Sequence, residues 1–161
     1  MTDNALDDAV LRRLLARPAT VACVGASPDP VRPSHFVARY LQRRGYRVIA
    51  VHPRHAGTEM FGTTCVADLT AISEPVDLLD VFRRSEAVPA LVEEALAALP
   101  GLRGVWLQLG VTSPEARAMC AAAGVAFVED RCPKIELQRL SRELGMAGIA
   151  TGALSSRLPR T

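Results

Sequence analysis

The sequence has no apolar run long enough to cross a membrane, and it has almost no net charge. No segment approaches the roughly 18 consecutive apolar residues that a transmembrane helix needs, and the acidic N-terminus lacks the layout of a signal peptide. A net charge of +2 in 161 residues is too small to favour nucleic acid or an anionic membrane as a partner. We therefore expect a cytoplasmic protein with no nucleic-acid and no membrane partner.

The cysteines form no pattern that would build a disulfide framework or a zinc site. Cys23, Cys65, Cys120 and Cys132 contain no C-x-x-C pair. His52 and His55 could form a pair with Glu59, but no third ligand stands at metal-binding spacing. Cys23 and Cys120 lie in apolar segments, where cysteine usually acts as a small core residue. We expect reduced thiols and no metal site.

What the sequence does contain is a regular alternation of short apolar runs and amphipathic segments. The apolar runs predict buried strands at 19–25, 46–51, 76–82, 104–110 and 125–130. Helical periodicity predicts helices at 4–16, 34–44, 85–98, 114–122 and 134–144. This order is typical of a single α/β domain, a Rossmann-like doubly wound parallel sheet of about five strands. We assign the domain to residues 1–144 and a weakly patterned C-terminal tail to residues 145–161.

Cationic side chains follow several of the predicted strands. Arg54, Arg83 and Arg84 come directly after strands, together with two histidines, and Arg32 precedes a helix. Parallel sheets of this class bind ligands beyond the carboxyl ends of their strands. The cations therefore predict an anionic ligand larger than a simple phosphate.

The first of these strand ends, VGASPDPVRPS, has the features of a phosphate-binding loop. Gly25 permits a tight turn and a close approach of a ligand. Pro33 suits the first helical position, after which free backbone amides and the helix dipole bind phosphate. Arg32 adds a positive charge and Ser27 a hydroxyl group. The alternative is an ordinary strand–helix connection with incidental prolines.

Two further features narrow the choice of nucleotide. The dinucleotide fingerprint G-x-G-x-x-G is absent. The second strand ends in His52, Pro53 and Arg54, where NAD-binding proteins carry an acid that binds the ribose hydroxyls. A cationic end favours a phosphorylated ribose, as in NADP or coenzyme A, over NAD and FAD.

Five segments, taken in order and spacing, carry a family resemblance. VGASPDPVRPS, RGYRVIAVHP, VDLLDVFRR, VWLQLGV and EDRCPKIE resemble the small stand-alone CoA-binding proteins. These are similar to the CoA-binding domain of succinyl-CoA ligase alpha subunits and of acyl-CoA synthetases. The resemblance covers about residues 15–141. It implies a Rossmann-type fold with coenzyme A in the strand-end crevice. The glycine–serine turn and the following helix would hold the pyrophosphate, and the segment after the second strand would flank the adenosine.

The resemblance also implies a set of cofactor-binding residues. The positions that match the family motifs are Gly25, Ala26, Ser27, Arg32, Ser34, Pro53, Phe82, Arg83, Arg84, Gln108 and Gly110. The position of the strand ends adds Pro33, His52 and Arg54. His52 stands where these proteins often have asparagine, and a histidine can still donate a hydrogen bond there.

We assign no catalytic residue. The favoured function is a protein that holds coenzyme A or acyl-CoA as a carrier, sensor or partner subunit, as a homodimer or with a partner enzyme. One alternative is an NADP-dependent oxidoreductase, although the chain is too short for a substrate domain. Another is a thiol-redox protein that uses Cys132, whose thiol pKa Arg131 and the helix start can lower; the same cysteine would otherwise be a structural residue.

Overall fold

A computed structural model describes residues 2–141 of the chain. The strands are β1 (Thr20–Val24), β2 (Arg47–Val51), β3 (Glu59–Met60), β4 (Thr63–Thr64), β5 (Leu78–Val81), β6 (Gly104–Leu107) and β7 (Ala126–Val128). The helices are α1 (Thr2–Leu14), α2 (Pro33–Arg43), α3 (Val88–Ala98), α4 (Pro114–Ala123) and α5 (Pro133–Leu140). Single 3₁₀ turns lie at Leu69–Ala71 and Ser85–Ala87.

The main sheet is parallel and has the strand order β2-β1-β5-β6-β7. At its centre, Cys23 on β1 lies opposite Ala50 on β2 and Asp80 on β5. The chain proceeds from β1 to one edge of the sheet and then returns to build the other side from β5. The gap between the carboxyl ends of β1 and β5 is therefore the topological switch point, where sheets of this kind hold their ligands.

Apolar side chains cover both faces of the sheet. All four residues of β5 and of β6 are buried, which explains why these segments are apolar runs without alternation. On one face Leu14 and Leu41 belong to the same buried cluster as Trp106. On the other face Val92 and Cys120 from α3 and α4 pack in the second cluster. Burial of each large side chain contributes about 1.5–3 kcal/mol, so the two clusters hold the strand ends in fixed positions.

The predicted fold class is confirmed, and the strands and helices of the sheet lie where the periodicity predicts them. The sequence pattern missed the segment 52–75, which contains the β3–β4 hairpin and a 3₁₀ turn. Strands of two residues are too short to show alternation. The segment also extends the sheet, because the Val66 N–H donates to the Ala50 carbonyl at 3.0 Å and Val66 bridges Val51.

The predicted tail at 145–161 and the last residues of the predicted helix 134–144 lie outside the described residues. Within residues 2–141, none of the helices combines the length and the apolar character that a bilayer span requires.

Candidate functional site

A cavity of about 700 Å³ opens at the switch point. Its volume lies within the range of about 300–1,000 Å³ typical of small-molecule sites. Its walls come from the ends of β1, β2, β5 and β6 and from the starts of α2 and α5. The residues that line it are Gly25, Ser27, Arg32, Pro33, Ser34, Phe36, Val37, His52, Arg54, His55, Phe82, Gln108, Leu109, Val111 and Cys132.

The loop between β1 and α2 is ordered by its own polar side chains. The Ser27 N–H donates to Ser34 Oγ at 3.1 Å, and the Asp29 N–H donates to Ser27 Oγ at 3.1 Å. The Val31 N–H in turn donates to Asp29 Oδ1 at 3.1 Å. The loop is therefore held in one conformation before any ligand arrives, which lowers the entropy cost of binding.

Helix α2 points its positive end into the cavity. It begins at Pro33, and its N-cap residue Arg32 forms no side-chain hydrogen bond to the first turn. The first turn also contains no acidic residue. Because the helix dipole and the uncapped amides both favour negative charge, this end of the cavity suits a phosphate group.

The side chains that line the cavity are cationic on one side. Arg32 and Arg54 contribute the positive charges, His52 and His55 are further polar lining residues, and no aspartate or glutamate lies among the lining residues. The Arg54 N–H donates to His52 Nδ1 at 3.1 Å, which requires a neutral acceptor at that nitrogen. Burial lowers the pKa of His52, and the neighbouring His55, Arg83 and Arg54 lower it further. His52 is therefore a neutral polar group of the cavity wall.

Most of the predicted binding residues lie together in this cavity, but five do not. Ala26 is buried in the core beneath the loop. Pro53 and Arg83 line a separate, smaller cavity of about 380 Å³ near the ends of β1 and β2. Arg84 is exposed and precedes the 3₁₀ turn. The Gly110 N–H donates to Asp130 Oδ1 at 2.7 Å in an exposed turn.

Sequence reasoning missed a set of mostly apolar lining residues. These are Phe36, Val37, Leu109, Val111, His55 and Cys132. Phe36 and Val37 lie on the inward side of α2, which the helical period of the sequence indicates. Leu109 is 58% exposed and follows its strand by two residues, so only the path of the loop brings it to the cavity.

The surroundings of Cys132 contradict the alternative in which Arg131 and the helix start lower the pKa of its thiol. The side chain is 3% exposed, and this burial raises its pKa because a thiolate loses its hydration there. Backbone hydrogen bonds from Ile135 and Lys134 oppose the shift without reversing it. The structure therefore favours the structural alternative for Cys132 over a reactive thiol.

A buried carboxyl group lies beneath the cavity floor. Asp80 is fully buried on the central strand β5, and Gln108 Nε2 donates to its Oδ1 at 2.6 Å. Its second oxygen, Oδ2, has no hydrogen-bond partner within the described part of the chain. Burial raises the Asp80 pKa from its ordinary value of 3.8 to about 7, and the Gln108 hydrogen bond opposes this rise.

Gly25 is required by the packing of the backbone around the site. Its φ is +87°, and a Cβ there would collide with the Phe82 carbonyl oxygen. Gly25→Ala should therefore lower the free energy of unfolding by about 1–3 kcal/mol, as measured by urea denaturation. Gly57→Ala is the matched control, because Gly57 has a φ of +91° and a Cβ there would meet nothing within 4 Å. Equal losses in the two variants would contradict the close approach to Phe82.

Asp80 also predicts a dependence of stability on pH. Its pKa is higher in the native state than in the unfolded chain, so the wild type loses stability as pH rises from about 4 through 7. Asp80→Asn removes this loss. The advantage of the variant in free energy of unfolding should grow by about 2–3 kcal/mol between pH 5 and pH 8 and then stay constant. Urea denaturation across this range measures it, and a difference that does not vary with pH contradicts the assignment.

Comparisons with known proteins agree with this architecture. The family model described as "CoA binding domain" matches residues 19–138. The "Uncharacterized protein YneT" of Bacillus subtilis (strain 168) is 35% identical over 127 residues, which cover 79% of this chain and 91% of that protein. A solved structure from Thermus thermophilus, cell-free ID.343, is 45% identical with a TM-score of 0.78, over 83% of this chain and 98% of that one. A hypothetical protein from Pyrococcus horikoshii OT3 is 32% identical with a TM-score of 0.76, over 83% and 92% respectively. The chain therefore belongs to the CoA binding domain family.

Proposed function

We propose that this protein binds coenzyme A, free or acylated, in the cavity at the carboxyl ends of β1 and β5. The observation that carries the proposal is the lining of that cavity: positive charges, an uncapped helix start and no acidic side chain. Coenzyme A combines a diphosphate, a ribose phosphate and a long arm that is only weakly polar. The cavity offers matching surfaces for each of these parts.

The diphosphate fits the start of α2. Arg32 carries a side chain that is 69% exposed, and its nearest acid, Asp29, lies 4.0 Å away. Such a loose and solvated ion pair contributes little, so Arg32 can exchange it for a phosphate without a large loss. Ser27 and Ser34 add hydroxyl groups at the same helix start.

The ribose phosphate fits the end of β2, and the pantetheine arm fits the apolar wall. Arg54 and the two histidines lie at the end of β2. Phe36 and Val37 from α2 and Leu109 and Val111 from the loop after β6 form the apolar part. This wall gives the arm a surface that excludes water.

The role that follows is that of a carrier, sensor or partner subunit without a reaction of its own. Burial raises the pKa of the Cys132 thiol, which favours this role over that of a thiol-redox protein. A second candidate is an NADP-dependent oxidoreductase, since the arginine at the end of β2 also suits a ribose 2′-phosphate. The ligand experiments below include NADP for this reason.

Thermal unfolding in the presence of ligands tests the proposal. Coenzyme A at about 100 times its dissociation constant should stabilise the protein by about 2.7 kcal/mol, and NAD and NADP at the same concentration should give much smaller shifts. Arg32→Ala should weaken binding by roughly tenfold or more, because it removes a charged hydrogen bond. Arg43→Ala is the matched control, since Arg43 is exposed at the opposite end of α2. Absence of a shift with coenzyme A, or a larger shift with NADP, would overturn the proposal.

Arg54 should distinguish coenzyme A from dephospho-coenzyme A. An arginine can bind a phosphate through two parallel hydrogen bonds. Loss of the 3′-phosphate should therefore cost the wild type on the order of tenfold in affinity. In Arg54→Ala the two ligands should bind almost equally, whereas Arg84→Ala, an exposed arginine outside the cavity, should keep the wild-type ratio. Calorimetric titration measures these ratios. An unchanged ratio in Arg54→Ala excludes Arg54 as the phosphate contact.

A further inference from the structure

A hydrogen bond in the floor of the cavity determines how one amide side chain is oriented. Gln108 lines the cavity and is 8% exposed, while its Nε2 donates to the fully buried Asp80 at 2.6 Å. Its other terminal atom, Oε1, accepts no hydrogen bond within the described residues and is not among their buried unpartnered oxygens. Gln108 Oε1 is therefore open to the cavity.

The ionisation state of Asp80 decides whether this orientation is favoured. An ionised carboxylate can only accept hydrogen bonds, so it holds the Gln108 NH₂ group towards itself. A protonated carboxylic acid carries a hydrogen that needs an acceptor. The carbonyl oxygen of the acid can still accept from Gln108, but the acid's own hydrogen then stays without a partner. When the amide turns, Gln108 Oε1 accepts that hydrogen and the NH₂ group faces the cavity, and this arrangement is the favoured one for the protonated acid.

Within the described residues, the titratable groups that the charge of Asp80 affects come from β1 and from the start of α5. Cys23 faces it from β1, and Cys132 faces it from the start of α5; the charge of Asp80 raises the pKa of both thiols. Lys134 follows on α5 and acts on Cys132. On α2, His35 is engaged elsewhere, because its Nδ1 lies 2.9 Å from the Ser27 carbonyl oxygen and its ring packs against Phe61.

We propose that Asp80 is a positioning residue: while ionised, it fixes Gln108 so that the cavity presents an amide oxygen to an N–H donor of the ligand. The inference rests on the proposed function, in which the donor is an amide N–H of the pantetheine arm. Because Asp80 changes ionisation near neutral pH, this contact forms above that pH and is lost below it. Asp80 and Gln108 together thus determine which group of the ligand binds at this point and how its binding depends on pH.

Calorimetric titration with coenzyme A tests the proposal at about pH 5.5 and about pH 8.5. Asp80→Asn has the size and charge of the protonated acid, so the variant and the wild type should bind equally at the lower pH. At the higher pH the wild type should bind about three- to tenfold more tightly, which is the effect of one hydrogen bond. The other ionisable groups of the cavity and of the ligand are the same in both proteins, so their contributions cancel in the ratio. A ratio that is the same at both pH values overturns the proposal.

Gln108→Leu shows whether Asp80 acts through Gln108. In a double-mutant cycle at about pH 8.5, Asp80→Asn should have no further effect on affinity once Gln108 is leucine. A full effect of Asp80→Asn in that background overturns the proposal, because Asp80 would then act on the ligand by another route.

An infrared titration of the ligand-free protein separates this inference from the proposed function. The protonated Asp80 carboxyl gives a band that Asp80→Asn removes. Because the Gln108 hydrogen bond stabilises the ionised form, Gln108→Leu should move the disappearance of this band to higher pH. An unmoved band overturns the inference. If the wild type binds no coenzyme A at either pH, the proposed function fails, and the infrared titration alone decides whether Asp80 and Gln108 are coupled.

Discussion

The site depends on the close contact between three strand ends at the switch point. The Gly25 N–H donates to the Val51 carbonyl at 2.9 Å, and the Phe82 N–H donates to the Val24 carbonyl at 2.8 Å. These bonds continue the pairing of the sheet by one residue beyond β1 and β5, and they leave no space for a side chain at Gly25. Beyond this contact the segments that follow the three strands turn away from one another, and the space between them is the cavity.

On the cavity side of this contact the charged side chains are arginines that solvent can reach, whereas on the core side the charged side chain is a buried aspartate. Arg32 and Arg54 line the cavity near the start of α2 and the end of β2. Asp80 lies beneath, fully buried on the central strand. Among the described residues no cation pairs with Asp80, and a buried carboxylate without such a partner weakens the fold. Its hydrogen bond to Gln108 offsets only part of that cost. The arrangement places a destabilising group where it acts on the cavity rather than on a remote part of the core.

The sheet and its topology class were predictable because buried parallel strands and helical periods leave clear patterns in the sequence. The sequence does not show which strand-end residues converge, since that depends on loop paths. Arg83 therefore lies in the smaller cavity and Leu109 in the larger one. Asp80 had a signal that could have been used: a carboxylate inside the apolar run 76–82 is unusual, because aspartate is almost never fully buried unless it is paired. The alternative of a lowered thiol pKa at Cys132 is wrong because closeness in sequence to Arg131 does not show how deeply the thiol is buried, and burial has the larger effect on its pKa.

Amide chemical shifts of the isotope-labelled protein during a titration with coenzyme A test the central claim most directly. If coenzyme A binds at the switch point, the backbone signals of Ser27 and Ser34 and the side-chain amide of Gln108 shift and saturate together. Signals from the opposite edge of the sheet, such as that of Arg103, whose N–H donates to the Asp77 carbonyl, should stay in place. Shifts confined to residues outside the cavity, or no shifts at saturating ligand, would contradict a coenzyme A site at the switch point.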